Sequence, residues 1–412
     1  MSFQQGLSGL NAASKSLEVI GNNVSNASTV GFKGSQAQFA DVYATSLSGG
    51  GASQVGIGTK ISKVAQQFSQ GNITASTNPL DIAINGGGFY RLDTNGTITY
   101  ARNGQFELDK NGYIVSGTGA NLTGYSALEN GALSTGAPSK IKINTADQPP
   151  AVTSLVKKIV NVDSGQEKPI NGPFSQSDPT TYNNATSISV FDSLGNAHVL
   201  QSFFVKTGSG TWDVYGVADD KVITSTSPDG KIGSLEFGTD GLLTPASKAG
   251  LPFPIVVPAT AGGAADIATK MDYTGSTQYG SPFMVNAISQ DGYTSGRLTG
   301  FNTGPDGVIT GRYSNGKSAT MGQVVLATFT NVNGLQPLGN NQWAESTTSG
   351  GPLIGAPTTG TFGSLQASAV EDSNVDLTAE LVNMITAQRV YQANAQTVKT
   401  QDQLMQTIVN LR

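Results

Sequence analysis

The C-terminal stretch "DLTAELVNMITAQRVYQANAQTVKTQDQLMQTIVNLR", Asp376 to Arg412, contains no Pro and no Gly and places an apolar or aromatic side chain at every seventh position: Leu377, Met384, Tyr391, Val398 and Met405. Leu381, Ala387 and Ala395 widen the stripe. Such spacing predicts a helix with a long contact seam. Asp376 is placed to cap its first turn, where Glu380 also suits the helix dipole. From Asp376 to Arg412 the helix would be about 55 Å long. It is rich in Thr, Asn, Gln and Val, which are indifferent helix formers, so it needs a partner along its length. That partner is either the other end of this chain or another copy of it.

The N-terminus offers a matching stripe. Phe3, Leu10, Leu17 and Val24 recur every seven residues, Ala13 and Ile20 fill the companion position, and Leu7 lies beside them. This predicts a helix ending near Gly21, a natural left-handed cap. Asn22, Asn23 and Asn26 then follow the helix end, where Asn side chains satisfy local backbone groups. Gly31-Phe32 reads as a turn that places an aromatic anchor.

Between the helices the chain is β-rich. Proline is confined to Pro79–Pro357 and crowds between Pro138 and Pro258, so long helices are possible only at the ends. Asn-Gly, a strong hairpin signal, recurs from Asn85 to Asn333, and the segment from Leu80 to Tyr125 reads as hairpin after hairpin. A Pro-rich shift near Asn144–Val152 returns near Tyr279–Val285. The expected fold is mainly β with α-helical termini paired as a coiled coil, carrying two nested β-rich domains of discontinuous chain. Residues 1–70 and 364–412 form the helical part, 71–147 and 285–363 a middle β domain, and 148–284 an inserted outer one.

Composition removes several functional classes. With no Cys and His198 as the single His, thiolate nucleophiles, zinc clusters and Ser-His-Asp triads have no residues to use. His198 reads as a structural strand residue. Lys plus Arg is 23 against 28 Asp plus Glu, with no basic run, which argues against nucleic acid as a partner. No run reaches the roughly 18 apolar residues of a membrane span, and no cleavable signal is expected at the N-terminus. No cofactor or metal is expected. "GRYSNGKS", Gly311 to Ser318, matches the spacing of a phosphate-binding loop. That loop needs a helix after it to aim N–H groups at phosphate, whereas Val324, Val325, Leu326 and Phe329 follow here. Asn315-Gly316 is expected to be a hairpin turn with Lys317 solvated beside it. The remaining carboxylates sit mainly in turns, so no enzyme is expected.

Several stretches together resemble the bacterial flagellar hook protein and its axial relatives: "LNAASKSLEVIGNNVSNASTVGFKGSQAQF" (Leu10 to Phe39), "LDIAINGGGFYRL" (Leu80 to Leu92), "YARNGQFELDKNGYIV" (Tyr100 to Val115), "YSNGKSATMGQVVLATFTN" (Tyr313 to Asn331) and "SNVDLTAELVNMITAQRVYQANAQTVKTQDQL" (Ser373 to Leu404). The resemblance covers both outer thirds and weakens from about Gln148 to Tyr279. It implies a structural subunit of the extracellular hook, exported unfolded through the flagellar type III apparatus. Such subunits polymerise on themselves into a flexible, torque-transmitting tube around a channel. The neighbours implied are the distal rod, hook cap and hook–filament junction proteins. Phe3, Leu7, Leu10, Leu17 and Ile20 would pack against Leu377, Leu381, Met384, Tyr391, Val398 and Met405, within and between subunits. Part of the face carrying Gln388, Gln392, Asn394, Gln396, Gln401, Gln403 and Gln406 would line the channel. Alternatives are a distal rod or other axial protein, or a secreted β-rich adhesin using aromatic patches at Trp212–Tyr215 and Trp343. In a free monomer the ends should be cut by trypsin first, at Lys15, Lys33, Arg389 and Lys399, leaving a core of about residues 70–365.

Overall fold

The computed structural model describes residues 2–42, 56–128, 131–258 and 263–410. The chain divides into two units, one of residues 1–145, 300–312 and 318–412, the other of 146–299 and 313–317. The first unit is thus assembled from both ends of the chain.

An N-terminal helix (Ser2–Ser25) and a C-terminal helix (Leu377–Asn410) flank the first unit's sequence. The C-terminal helix starts as expected: the Asp376 carboxylate accepts from the N–H groups of Thr378 and Ala379 at 2.8 and 3.1 Å. The N-terminal one does not stop at Gly21. It runs to Ser25, and Gly21 is an interior helical residue with empty space where a Cβ would sit. The extra turn is held by tertiary bonds of Asn23, which a local capping argument does not see. After the helix, the antiparallel hairpin Ser35–Val42 and Gly58–Gln66 packs against it.

The β body of this unit interleaves early and late chain. Ile73–Ala75 pairs with Ala369–Glu371, Ile82–Asn85 with Ser364–Ala367, and Phe89–Thr94 with both Thr97–Ala101 and Leu326–Thr328. Asn95-Gly96 makes the tight turn between the Phe89–Thr94 and Thr97–Ala101 strands with φ of 53° and 92°, the positive pair that a twisted two-residue hairpin requires. Asn333-Gly334 instead lies in a single 3-10 turn, and Asn130 falls outside the described residues. Phe89, Tyr100, Phe329 and Trp343 close an aromatic core with Phe68, most rings meeting edge to face.

The phosphate-loop mimic is a hairpin. Val308–Tyr313 and Ser318–Val324 are antiparallel strands, and Gly316 turns the chain at φ 76°. Lys317 is not freely solvated, since its ammonium sits 5.3 Å from the centre of the Tyr293 ring.

In the second unit, Phe253–Val257, Ile267–Asp272, Leu155–Asn161 and Met284–Gln290 form one sheet in that order, its central pair parallel. Asn184–Phe191, Ala197–Gly208 and Thr211–Ala218 form the other, with Lys221–Val222 and Lys231–Glu236 both pairing with Thr211–Ala218. Val156 and Met271 of the first sheet and Leu200, Phe204 and Trp212 of the second belong to one core. On the outer side, Phe174 covers Phe203 and stacks on Tyr215 with ring centroids 4.4 Å apart.

Candidate functional site

The two terminal helices run antiparallel. At one end Gly6 lies against Val398, and at the other the Asn23 amide donates to Glu380 Oε1 at 3.2 Å. Small side chains set the approach. A Cβ on Gly6 would stand 3.0 Å from Val398 Cγ2, and one on Gly9 would stand 2.7 Å from Asn394 Oδ1. The buried line on the N-terminal helix is therefore Gly6, Ala13, Ile20 and Asn23, and Ala387 is its buried counterpart. Beside the seam, both helices and the Ser35–Val42 hairpin strand frame an open groove of about 780 Å³, lined by Ala12, Val19, Phe39, Val375 and Val390 among others.

The sequence-derived interface residues are divided by this seam. Ile20 is buried, and Leu10, Leu17, Met384 and Val398 are half-buried. Phe3, Leu7, Leu377, Leu381, Tyr391 and Met405 are 38–63% exposed. Two geometric facts explain the split. A strict seven-residue stripe drifts by about 20° per heptad around a straight helix, so one neighbour cannot cover all of it. In addition, Gly6 faces Val398, so the first helix, which starts only four residues earlier at Ser2, ends about three residues short of Met405.

The polar face also divides. At about 100° per residue, Gln388, Gln392, Gln396, Gln403 and Gln406 fall within one arc of roughly 80°. All five are exposed. Asn394 and Gln401 project from the opposite side; Asn394 packs on Gly9, and Gln401 is half-buried. These two do not belong with the open Gln face.

Asn26 acts locally, its amide donating to Asn22 O at 3.0 Å, while the Asn22 side chain is exposed. Asn23 does not act locally. It is 2% exposed, donates to Ser35 O at 2.8 Å and accepts from Ser35 N–H at 2.9 Å, so it clamps the helix to the hairpin. Gly31 has φ 71° and lies so close to Asn103 that a Cβ would stand 2.5 Å from the Asn103 nitrogen. Phe32 is half-buried beside it.

Sequence reasoning missed the ionic cluster next to this turn. Lys33 Nζ lies 2.7 Å from Glu371 Oε1, and Arg102 Nε lies 3.3 Å from Glu371 Oε2, with all three side chains buried. Lys33 also donates to Ser69 O, Arg102 to Gly86 O and Gly88 O, and Gly71 N–H to Glu371. Burial lowers the Lys33 pKa from its ordinary value, partly opposed by Glu371. The cluster joins the segment after the first helix, a β hairpin and the segment before the last helix. Only the separation of 338 residues between Lys33 and Glu371 hid it. Lys33 is accordingly not an exposed tryptic site. Trp212 and Trp343 are 0% and 2% exposed, so neither supplies the aromatic patch an adhesin would use. His198 is buried between two carboxylates, 2.6 Å from Asp219 and 3.4 Å from Asp192, which fits a structural role.

A hairpin-rich body with both chain ends paired as helices is the arrangement that the resemblance to axial flagellar proteins implied. Family models match accordingly: "Flagella basal body rod protein" over residues 3–33, "Flagellar hook protein FlgE/F/G D1 domain" over 83–161, "Flagellar basal body protein FlaE D2 domain" over 161–293 and "Flagellar basal body rod FlgEFG protein C-terminal" over 366–411. The chain is 41% identical to the flagellar hook proteins FlgE of Escherichia coli K12 and Salmonella typhimurium LT2, over the full length of each chain. It is 29% identical to that of Borreliella burgdorferi, over 100% of this chain and 99% of the relative. The crystal structure of Helicobacter pylori flagellar hook protein FlgE2 shares the fold, with TM-score 0.54, 14% identity, and coverage of 72% of this chain and 100% of that one. The protein belongs to the flagellar hook protein family. It is a structural subunit of the bacterial flagellar hook, which lies outside the cell.

Proposed function

We propose that copies of this chain polymerise through their terminal helices into the flexible tube that couples rod to filament and transmits torque. Phe3, Leu7, Leu377, Leu381, Tyr391 and Met405 carry this reading, because they are left 38–63% exposed in the single chain. Burying such a side chain from full exposure is worth roughly 1.5–3 kcal/mol, and about half of that is still to be gained here, so a neighbour's helix on this stripe is favoured. The coiled-coil character then belongs to contacts between copies, with the small-residue seam holding each subunit's own helices. The Gln388, Gln392, Gln396, Gln403 and Gln406 face would line the channel, where neutral amides neither grip nor repel a passing unfolded chain. Export through the type III apparatus, neighbours at the distal rod, cap and filament junction, and a three-part division into helical, middle and outer domains complete the proposal.

The test is assembly of a Leu381→Asp, Tyr391→Asp double variant. Both residues are exposed, so the monomer's thermal melt should move little. Concentrated parent protein should form tubes by electron microscopy, and the variant should not. Tubes of normal length from the variant would overturn the assignment of this stripe.

A further inference from the structure

Lys158 lies on the strand Leu155–Asn161 of the second unit and is 0% exposed. Its Nζ is 2.8 Å from Ser202 Oγ, on the facing sheet, and the Tyr273 hydroxyl donates to the same Ser202 Oγ at 3.2 Å. Ser202 and Tyr273 are equally buried. Among the described residues no carboxylate reaches the amine. The strands Asn184–Phe191, Phe253–Val257 and Met284–Gln290 contain no ionisable side chain. The other titratable groups nearby are engaged elsewhere or point away. His198 is held by Asp192 and Asp219, Asp213 by Lys231 and Ser234, Lys206 by the carbonyls of Ser164 and Gln166, and Asp272 by the Thr274 N–H. Lys157 and Lys270 are exposed.

The hydrogen bonding is better served by a neutral amine. With Tyr273 donating to Ser202 Oγ, the serine's own proton needs an acceptor, and the Nζ lone pair is the one within reach. An ammonium offers only protons, which leaves the Ser202 O–H unmatched and a full charge in an apolar core. We propose that the Tyr273–Ser202–Lys158 chain is an acid-sensitive latch between the two sheets of this unit, closed while the amine is neutral and loosened when it gains a proton. Burial lowers the Lys158 pKa from 10.5 to about 7, which sets the range. Between about 7 and 10.5 the unfolded chain holds a proton that the folded unit lacks, so stability rises with pH there, and below 7 that gain is gone. The hook is outside the cell, so external pH acts on this latch directly.

Hydrogen-exchange mass spectrometry of the full chain from pH 6 to 10, corrected for intrinsic rates, tests the latch. Peptides covering Leu155–Asn161 and Ala197–Gly208 should gain up to about tenfold protection per pH unit above 7 relative to a Lys158→Met variant. The difference between parent and variant at each pH removes the opposite contribution of His198. Burial depresses the His198 pKa, but Asp219 and Asp192 outweigh it and raise the value, so His198's stabilisation fades as pH rises. Should Lys158→Met not fold, nitrogen-15 NMR of the parent's lysine amines provides the second readout, with Lys158 titrating near 7 and the exposed lysines well above it. Identical pH profiles for parent and variant, or a Lys158 amine titrating near 10.5, would overturn the proposal.

Discussion

Glu371→Gln isolates the contribution of the buried ionic cluster. The substitution keeps the side chain's shape and an oxygen for the Lys33 and Gly71 donors, but removes the anion that, among the described residues, faces both Lys33 and Arg102. Two cations are then left in the interior without a counter-ion, which costs about 3–5 kcal/mol. The unfolding constant of the first unit should therefore rise by roughly 10²- to 5 × 10³-fold. An internal control exists at the same distance. Lys15 and Glu18 also lie 2.7 Å apart, but both are more than half exposed. Solvent screens that pair, so Glu18→Gln should cost no more than about 0.5 kcal/mol. Burial, not separation, decides the difference. Urea unfolding followed by the fluorescence of Trp343, in the core of the first unit, reads the effect. Trypsin reads it a second way: the parent should resist cleavage at Lys33, and Glu371→Gln should open that site. A Lys33→Met, Glu371→Leu double variant should lose less than Glu371→Gln alone, because one of the two unpaired cations is gone and the other, Arg102, keeps its bonds to Gly86 O and Gly88 O. If Glu371→Gln and Glu18→Gln shift the midpoint equally and Lys33 stays protected, the cluster does not anchor the chain ends.

Gly31→Ala should destabilise the first unit by about 3 kcal/mol or more, since a left-handed φ and backbone atoms of Asn103 both oppose a methyl group. Gly21→Ala, at an open interior helical position, should be neutral or stabilise by up to about 1 kcal/mol. Thermal melts of the two variants check both signs, and a large loss at Gly21 would contradict the continuous helix. Replacing Gln388, Gln392 and Gln396 together by Glu should leave tube formation by purified protein intact while slowing growth of structures distal to the hook in cells. Normal growth would remove the channel-lining role.

The sequence by itself determined where helix and strand could form. Proline-free ends with seven-residue stripes gave the two helices and the Asp376 cap, and Asn-Gly pairs gave hairpins such as the one at Asn95, because these signals act over a few neighbouring residues. The Gly311–Ser318 motif was resolvable for the same reason: its flanking β formers are local. Tertiary structure alone decided which side chains meet. The end of the first helix moved from Gly21 to Ser25 because Asn23 bonds a hairpin twelve residues on. Asn394 left the Gln face because Gly9 admits it into the seam. The Lys33–Arg102–Glu371 cluster and the Lys158–Ser202–Tyr273 chain leave no pattern in the sequence, since a buried charge and a solvated one are spelled with the same letter. Burial is a property of the packed chain, and it is burial that turns an ordinary lysine into an anchor or a latch.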